Sequence, residues 1–137
     1  MTAICAQKLL KLVSRPGKPF DFGCKEFEVR SFTKLAQKMY PGNGICVVSA
    51  WMILDFKEGR QTVDSALLEG VSPGVLYGGC VELDFSLRFS PGRRVVTTGV
   101  IDWVAPCFFI TRNTVYILVG EGSRKDVDSE LIYTFHF

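Results

Sequence analysis

From Val81 to Phe89 apolar and polar residues alternate without a slip: Val81, Leu83, Phe85, Leu87 and Phe89 against Glu82, Asp84, Ser86 and Arg88. A period of two sets the bulky apolar side chains on one face of a strand and the polar ones on the other. Ser90-Pro91-Gly92-Arg93 follows as a reversal, since proline pre-sets φ at the second turn position and glycine supplies the positive φ needed at the third. Arg94 to Trp103 is rich in β-branched residues and is expected to return as the partner strand. The stretch Tyr77 to Trp103 therefore predicts a long antiparallel hairpin with one wet face. The other segments must cover its dry one.

Those segments are legible to different degrees. Residues 2–13 place Cys5, Leu9, Leu12 and Val13 on one helical face and Lys8 and Lys11, with Arg15 beyond, on the other. Arg15-Pro16-Gly17-Lys18-Pro19 should end that helix and act as a linker. Phe20 to Arg30 reads as a strand in a muddled register. Ser31 then suits the N-cap of a helix over Phe32–Tyr40, with Phe32, Leu35, Ala36 and Met39 as its apolar face and Pro41-Gly42-Asn43-Gly44 as its stop.

Ile45 to Lys57 is the most hydrophobic run, charged only at Asp55 and Lys57. Its thirteen residues exceed a typical strand and favour a helix buried on most sides, with the β-branched Ile45, Val47 and Val48 keeping strand as the alternative. A short helical turn is expected within Gln61–Gly70. Cys107–Ile110 and Thr114–Val119 read as two strands joined at Thr111-Arg112-Asn113, Gly120–Ser129 as an exposed loop, and Glu130–Phe137 as a last strand. This order predicts an α+β fold: a twisted antiparallel sheet of four to five strands with two or three helices segregated on one face. Residues 1–19 would form a basic amphipathic helix and linker, and residues 20–137 a single domain.

The chain has 137 residues, 47% apolar and 22% charged, which suits one ordered domain. The sequence has neither an apolar run of membrane-spanning length nor a secretory pattern, so a cytosolic or host-cytosolic location is expected. The five cysteines, Cys5, Cys24, Cys46, Cys80 and Cys107, never approach C-x-x-C spacing and are expected to be free thiols. The net charge of +2 hides an asymmetry. Residues 1–40 carry eight Lys/Arg against three acids, a net of +5, whereas the rest is mildly acidic. Lys8, Lys11, Arg15 and Lys18 are therefore candidates for contact with a membrane surface or another anionic partner.

Catalytic chemistry finds little support. His136 is the single histidine and has no partner in sequence. Glu82 and Asp84 share a strand face, as paired carboxylates do in some hydrolases, but on a wet hairpin face they read more simply as a solvated edge near Arg93 or Arg94. Asp126-Val127-Asp128-Ser129 lacks the glycine and closing glutamate of a calcium loop, and Gly78-Gly79 and Gly120-x-Gly122 are too short for phosphate loops. Arg93 and Arg94 are candidates for phosphate contact, without sequence-specific nucleic-acid reading. No cofactor and no metal is expected.

The stretch from Phe27 to about Phe89, with SFTKLAQKMYPGNG, ICVVSAWMILDFKEG and VELDFSLRF in that order, resembles the matrix proteins of rhabdoviruses. The resemblance implies a non-enzymatic matrix or matrix-derived accessory protein that self-associates and contacts viral or host proteins in assembly or host interference. The given sequence shows neither the family's long lysine-rich N-terminal segment nor a P-P-x-Y or P-[ST]-A-P motif, which argues against strong membrane binding and budding. The alternative is a small cytosolic enzyme or ligand-binding domain with an apolar pocket between sheet and helices.

Overall fold

In the computed structural model, the structure describes residues 14, 15, 17–56, 74–97 and 99–127. Among the described residues the fold is mostly β: an eight-stranded mixed sheet, strongly curled into a half-barrel, and one helical segment. In chain order these are β1 (Lys18–Phe20), a 3-10 turn (Glu26–Glu28) running into α1 (Val29–Met39), β2 (Gly44–Phe56), β3 (Gly74–Asp84), β4 (Val95–Val96), β5 (Asp102–Val104), β6 (Phe108–Ile110), β7 (Thr114–Leu118) and β8 (Gly122–Val127). The expected antiparallel sheet of four to five strands under two or three helices is thus corrected in strand number, in direction and in helix content among the described residues.

The main correction is β2. Ile45–Phe56 forms no buried helix; it is the central strand, with β3 antiparallel along one edge and β7 and then β8 parallel along the other. A strand buried on both faces beside parallel neighbours carries apolar residues at consecutive positions, and so loses the alternation that identifies half-exposed strands. Its faces also exchange midway. Cys46 and Val48, then Trp51 and Ile53, pack into one core cluster, while Ile45 and Val47 pack under α1. The exchange occurs at Ala50, which adopts a left-handed φ of 49°.

The sheet forks at the same level. Val48 pairs with Leu118 and Met52 with Ser123, so one extra residue is accommodated around Gly120 and Glu121. One branch is β7-β6-β5 and the other is β8-β1. The segment Phe22–Cys24 threads the gap: Gly23 N–H donates to the Pro106 carbonyl at 2.7 Å, and Cys24 N–H to that of Leu118 at 2.9 Å. Phe20 and Phe22 pack on one core cluster and Cys24 in the other, so the chain changes sides there. Aromatic contacts draw the branches together on the first side. Phe20 meets Trp51 and Trp103 edge-on at 6.3 and 6.0 Å, and Trp103 meets Phe109 at 4.8 Å. Arg124 is stacked 5.0 Å from Phe20 and 5.3 Å from Trp103, and holds Asp55 through two hydrogen bonds of 2.6 and 2.9 Å.

Three further expectations change. Of Phe20–Arg30 only Phe20, at the end of β1, and a bridge at Cys24 are extended pairing, and α1 begins at Val29 with Ser31 inside it. Within the loop expected over Gly120–Ser129, Gly122–Val127 is instead β8, a polar strand whose outer neighbour is the short, mostly exposed β1. The Gly92 turn does form, with Gly92 at φ 89° and Arg93 N–H on the Ser90 carbonyl, but the returning strand is only Val95–Val96. Trp103 belongs to β5 instead. β6 and β7 stand where they are expected. The helix over 2–13, the turn in 61–70, the strand over 130–137, Cys5 and His136 lie outside the described residues.

Candidate interaction surface

The alternation of Val81–Phe89 ends inside β3. Val47 pairs with Leu83 but Val48 with Val81, so Glu82 is an extra residue and β3 stops at Asp84. Beyond the strand the chain winds as a tight loop around one carboxylate. Asp84 accepts backbone N–H groups of Ser86 at 3.1 Å, Arg88 at 2.9 Å and Phe89 at 3.1 Å, and the Arg88 guanidinium at 3.2 and 3.3 Å. Burial works to raise its pKa, but Arg88 and those backbone donors outweigh burial and hold the carboxyl below its ordinary value.

This inverts the expected faces. Asp84, read as wet, is 2% exposed, whereas Leu83, Phe85 and Leu87, read as core, are 44, 46 and 88% exposed. Leu87 also sits at a left-handed φ of 56°, a conformation that costs a leucine roughly 1 kcal/mol and that the Asp84 hub holds in place. Glu82 and Asp84 do not act as a pair: Glu82 accepts the Ser49 hydroxyl, while Asp84 faces Arg88.

The cross-strand pairing of Leu83 with Val47 places Leu83 on the α1 side of the sheet. α1 buries Thr33 and Ala36 and half-buries Val29 and Phe32, but leaves Leu35 and Met39 exposed. Beside them Arg30, Lys34 and Lys38 recur every fourth residue, all exposed, and α1 holds no acid. The helix end and the loop lie close: Phe85 N–H donates to the Ile45 carbonyl at 2.9 Å, just past the turn that follows α1. Exposed apolar side chains thus stand on α1 (Leu35, Met39) and on the end of β3 and the loop after it (Leu83, Phe85, Leu87), with exposed Arg30, Lys34 and Lys38 on the helix. The i, i+4, i+8 spacing of Arg30, Lys34 and Lys38 was a readable signal, hidden by starting the helix at Phe32.

Of the anticipated contact residues, Lys8 and Lys11 lie outside the described residues. Lys18 opens β1, and the Arg15 carbonyl accepts the Lys125 ammonium at 3.4 Å, so these two meet β8 at the sheet edge. Arg93 is exposed on the turn, while Arg94 lines a cleft with Arg88 and Tyr116. The buried thiols are poorly suited to chemistry: burial, with the Asp84 charge adding, pushes Cys46 up to about 12, and burial likewise raises Cys24 and Cys107. Among the described residues no group of three His, Cys, Asp or Glu gathers that could hold a metal, and no helix is long and apolar enough to cross a membrane. A larger cleft of about 1160 Å³ opens at the fork, lined by Phe20, Phe22, Ala50, Trp51, Met52 and Tyr77 among others.

A family model described as a domain of unknown function (DUF6957) matches residues 21–134. No curated protein and no solved structure matches the chain.

Proposed function

Because the chain belongs to the DUF6957 family, a domain of unknown function, we propose its role from its own surface: a non-catalytic domain that binds an acidic protein partner. The observation that carries this reading is the outward display of Leu83, Phe85 and Leu87, held there by a buried carboxylate. Exposed apolar clusters with a polar border mark contact sites. The helix cations set the partner's chemistry. Arg30, Lys34 and Lys38 favour an acidic rim and disfavour a second copy presenting the same face. The resemblance to rhabdovirus matrix proteins rested partly on a second helix that is β2 here, and the contact reading stands without it.

The test is retention of partners on immobilised protein, comparing wild type with Phe85→Glu/Leu87→Glu and with Lys34→Glu/Lys38→Glu. Thermal melts should change little, since these positions are exposed. The expected result is an acidic protein that, once purified, binds the wild type and loses about tenfold or more with either double variant. A partner indifferent to both variants, or binding only to anionic vesicles, would overturn the reading. The larger cleft favours a second reading, an apolar ligand at the fork. Saturable binding of N-phenylnaphthylamine that is abolished by Ala50→Arg on the cleft lining would support it, and binding unaltered by that substitution would exclude it.

A further inference from the structure

We propose that the cleft between Arg88 and Arg94 binds a small organic anion, a phosphate or carboxylate group carried on an apolar body. The cleft measures about 390 Å³, within the range of small-metabolite sites. It lies on the side of the sheet where Phe89 and Tyr116 join the core cluster of Trp51 and Phe109. The cleft uses other side chains than the surface proposed for protein contact, although the Asp84 loop borders both.

Arg88 is a positioned donor. Its Nε and Nη2 are held by Asp84 at 3.2 and 3.3 Å, and its Nη1 donates to the Thr114 hydroxyl at 2.8 Å. This fixes the plane of the guanidinium while leaving one N–H on each terminal nitrogen uncommitted. Arg94 differs: it is exposed and has no hydrogen bond or ion pair among the described residues. Among the described residues no carboxylate lines the cleft, and Asp84, the acid next to Arg88, is already engaged by that residue and by the loop N–H groups. Asp84 offsets the charge of Arg88, so Arg94 supplies the net positive charge of the cavity while Arg88 supplies fixed N–H donors, and together they suit an anion.

The remaining lining completes the recognition. Asn113 brings an exposed amide from the β6–β7 turn. Tyr116 keeps its proton at neutral pH, because burial pushes the phenol up to about 12. Phe89, Val95 and Val96 supply apolar wall, which inorganic phosphate would not use and an organic body would. Arg94 was one of the two arginines singled out from sequence for phosphate contact, and the fold separates it from Arg93.

The experiment is a nitrogen-15 amide titration of the full chain with phenyl phosphate and benzoate, with inorganic phosphate and benzyl alcohol as half-probes. At least one aromatic anion should saturate, shifting the amides of Thr97, Asn113 and Thr114, and should bind about tenfold more tightly than inorganic phosphate. Arg94→Ala should weaken it about tenfold or more with an unchanged melting temperature, and Arg94→Lys should restore part of the loss. Arg93→Ala should stay within about twofold, because its charge is not directed at the cleft. Whichever anion saturates identifies the head group. If neither saturates below about 10 mM, or if Arg93→Ala weakens binding as much as Arg94→Ala, no site exists and only a diffuse basic field remains.

Discussion

Replacing Gly122 by alanine is expected to lower the stability of the fold by about 3 kcal/mol and its melting temperature by roughly 10 °C. A Cβ at this position would stand 2.2 Å from Cδ2, 2.3 Å from Cε2 and 2.4 Å from Cε3 of Trp51. Those atoms belong to the rigid indole, not to the tip of a flexible chain, so the ring itself must move. It has little room. Trp51 is 2% exposed, its N–H donates to the Gly120 carbonyl at 3.2 Å, and a Cβ on Gly23 would already lie 3.3 Å from Cζ2. Moving the ring gives up that hydrogen bond and the edge contact with Phe20, and reopens the fork that Phe22–Cys24 fills. Trp51→Ala alone should cost about 3–5 kcal/mol through the cavity it leaves. In that background Gly122→Ala should become neutral or slightly stabilising, since alanine loses less backbone entropy in a strand than glycine. The two costs therefore couple by about 3 kcal/mol in urea denaturation. Simple additivity would show that the ring is not what Gly122 accommodates. Gly42→Ala, with nothing within 4 Å, is the control and should cost little.

Trp51 also shows why the fork was not legible in the sequence. Its neighbours in the run Ile45–Phe56 carry no periodic signal, because both faces are buried and the faces exchange at Ala50. Length then favoured helix, although Ile45, Val47 and Val48 argued for strand by their branching. β8 failed for the opposite reason. Gly122–Val127 is polar because its outer neighbour is the short edge strand β1, and Arg124 is held by Asp55, sixty-nine positions away. Partnership at that separation leaves no local trace. Where local rules suffice, the reading was sound: the Gly92 turn, the Pro41–Gly44 stop and the β6–β7 pair depend on residues within one turn of each other. The interaction surface fell between these cases. Its alternation was visible, yet a single extra residue at Glu82 decides which face meets water. Arg94 was legible as a cation, but its company in the cleft comes from β4, β7 and the β6–β7 turn, which only the fold assembles.

Asp84→Asn is expected to cost about 3–5 kcal/mol at pH 7 and to remove the loop that displays Phe85 and Leu87. The carboxylate accepts from three backbone N–H groups and from Arg88, and an amide offers one oxygen and directs an NH₂ at donors it cannot accept. Most of the cost lies in the backbone donors. The Arg88 side chain is 37% exposed, so its ion pair is screened by solvent and contributes under about 1 kcal/mol. The pH dependence comes from the lowered carboxyl. In the folded state Asp84 titrates below its ordinary value of 3.8, so its contribution is fully present above that value and is lost as pH falls through the lower folded one. Urea midpoints of the wild type should therefore fall more steeply below about pH 4 than those of Asp84→Asn, and the two curves should converge in acid. Parallel curves would show that another carboxylate governs the acid limb. The same substitution frees Arg88 from one side of the anion cleft and releases Leu87 from its left-handed conformation. It should thus weaken partner binding and anion binding together, whereas Phe85→Glu/Leu87→Glu should affect only the first and Arg94→Ala only the second. One buried carboxylate would then support two separate surfaces, and that pattern of three variants would distinguish it from general unfolding.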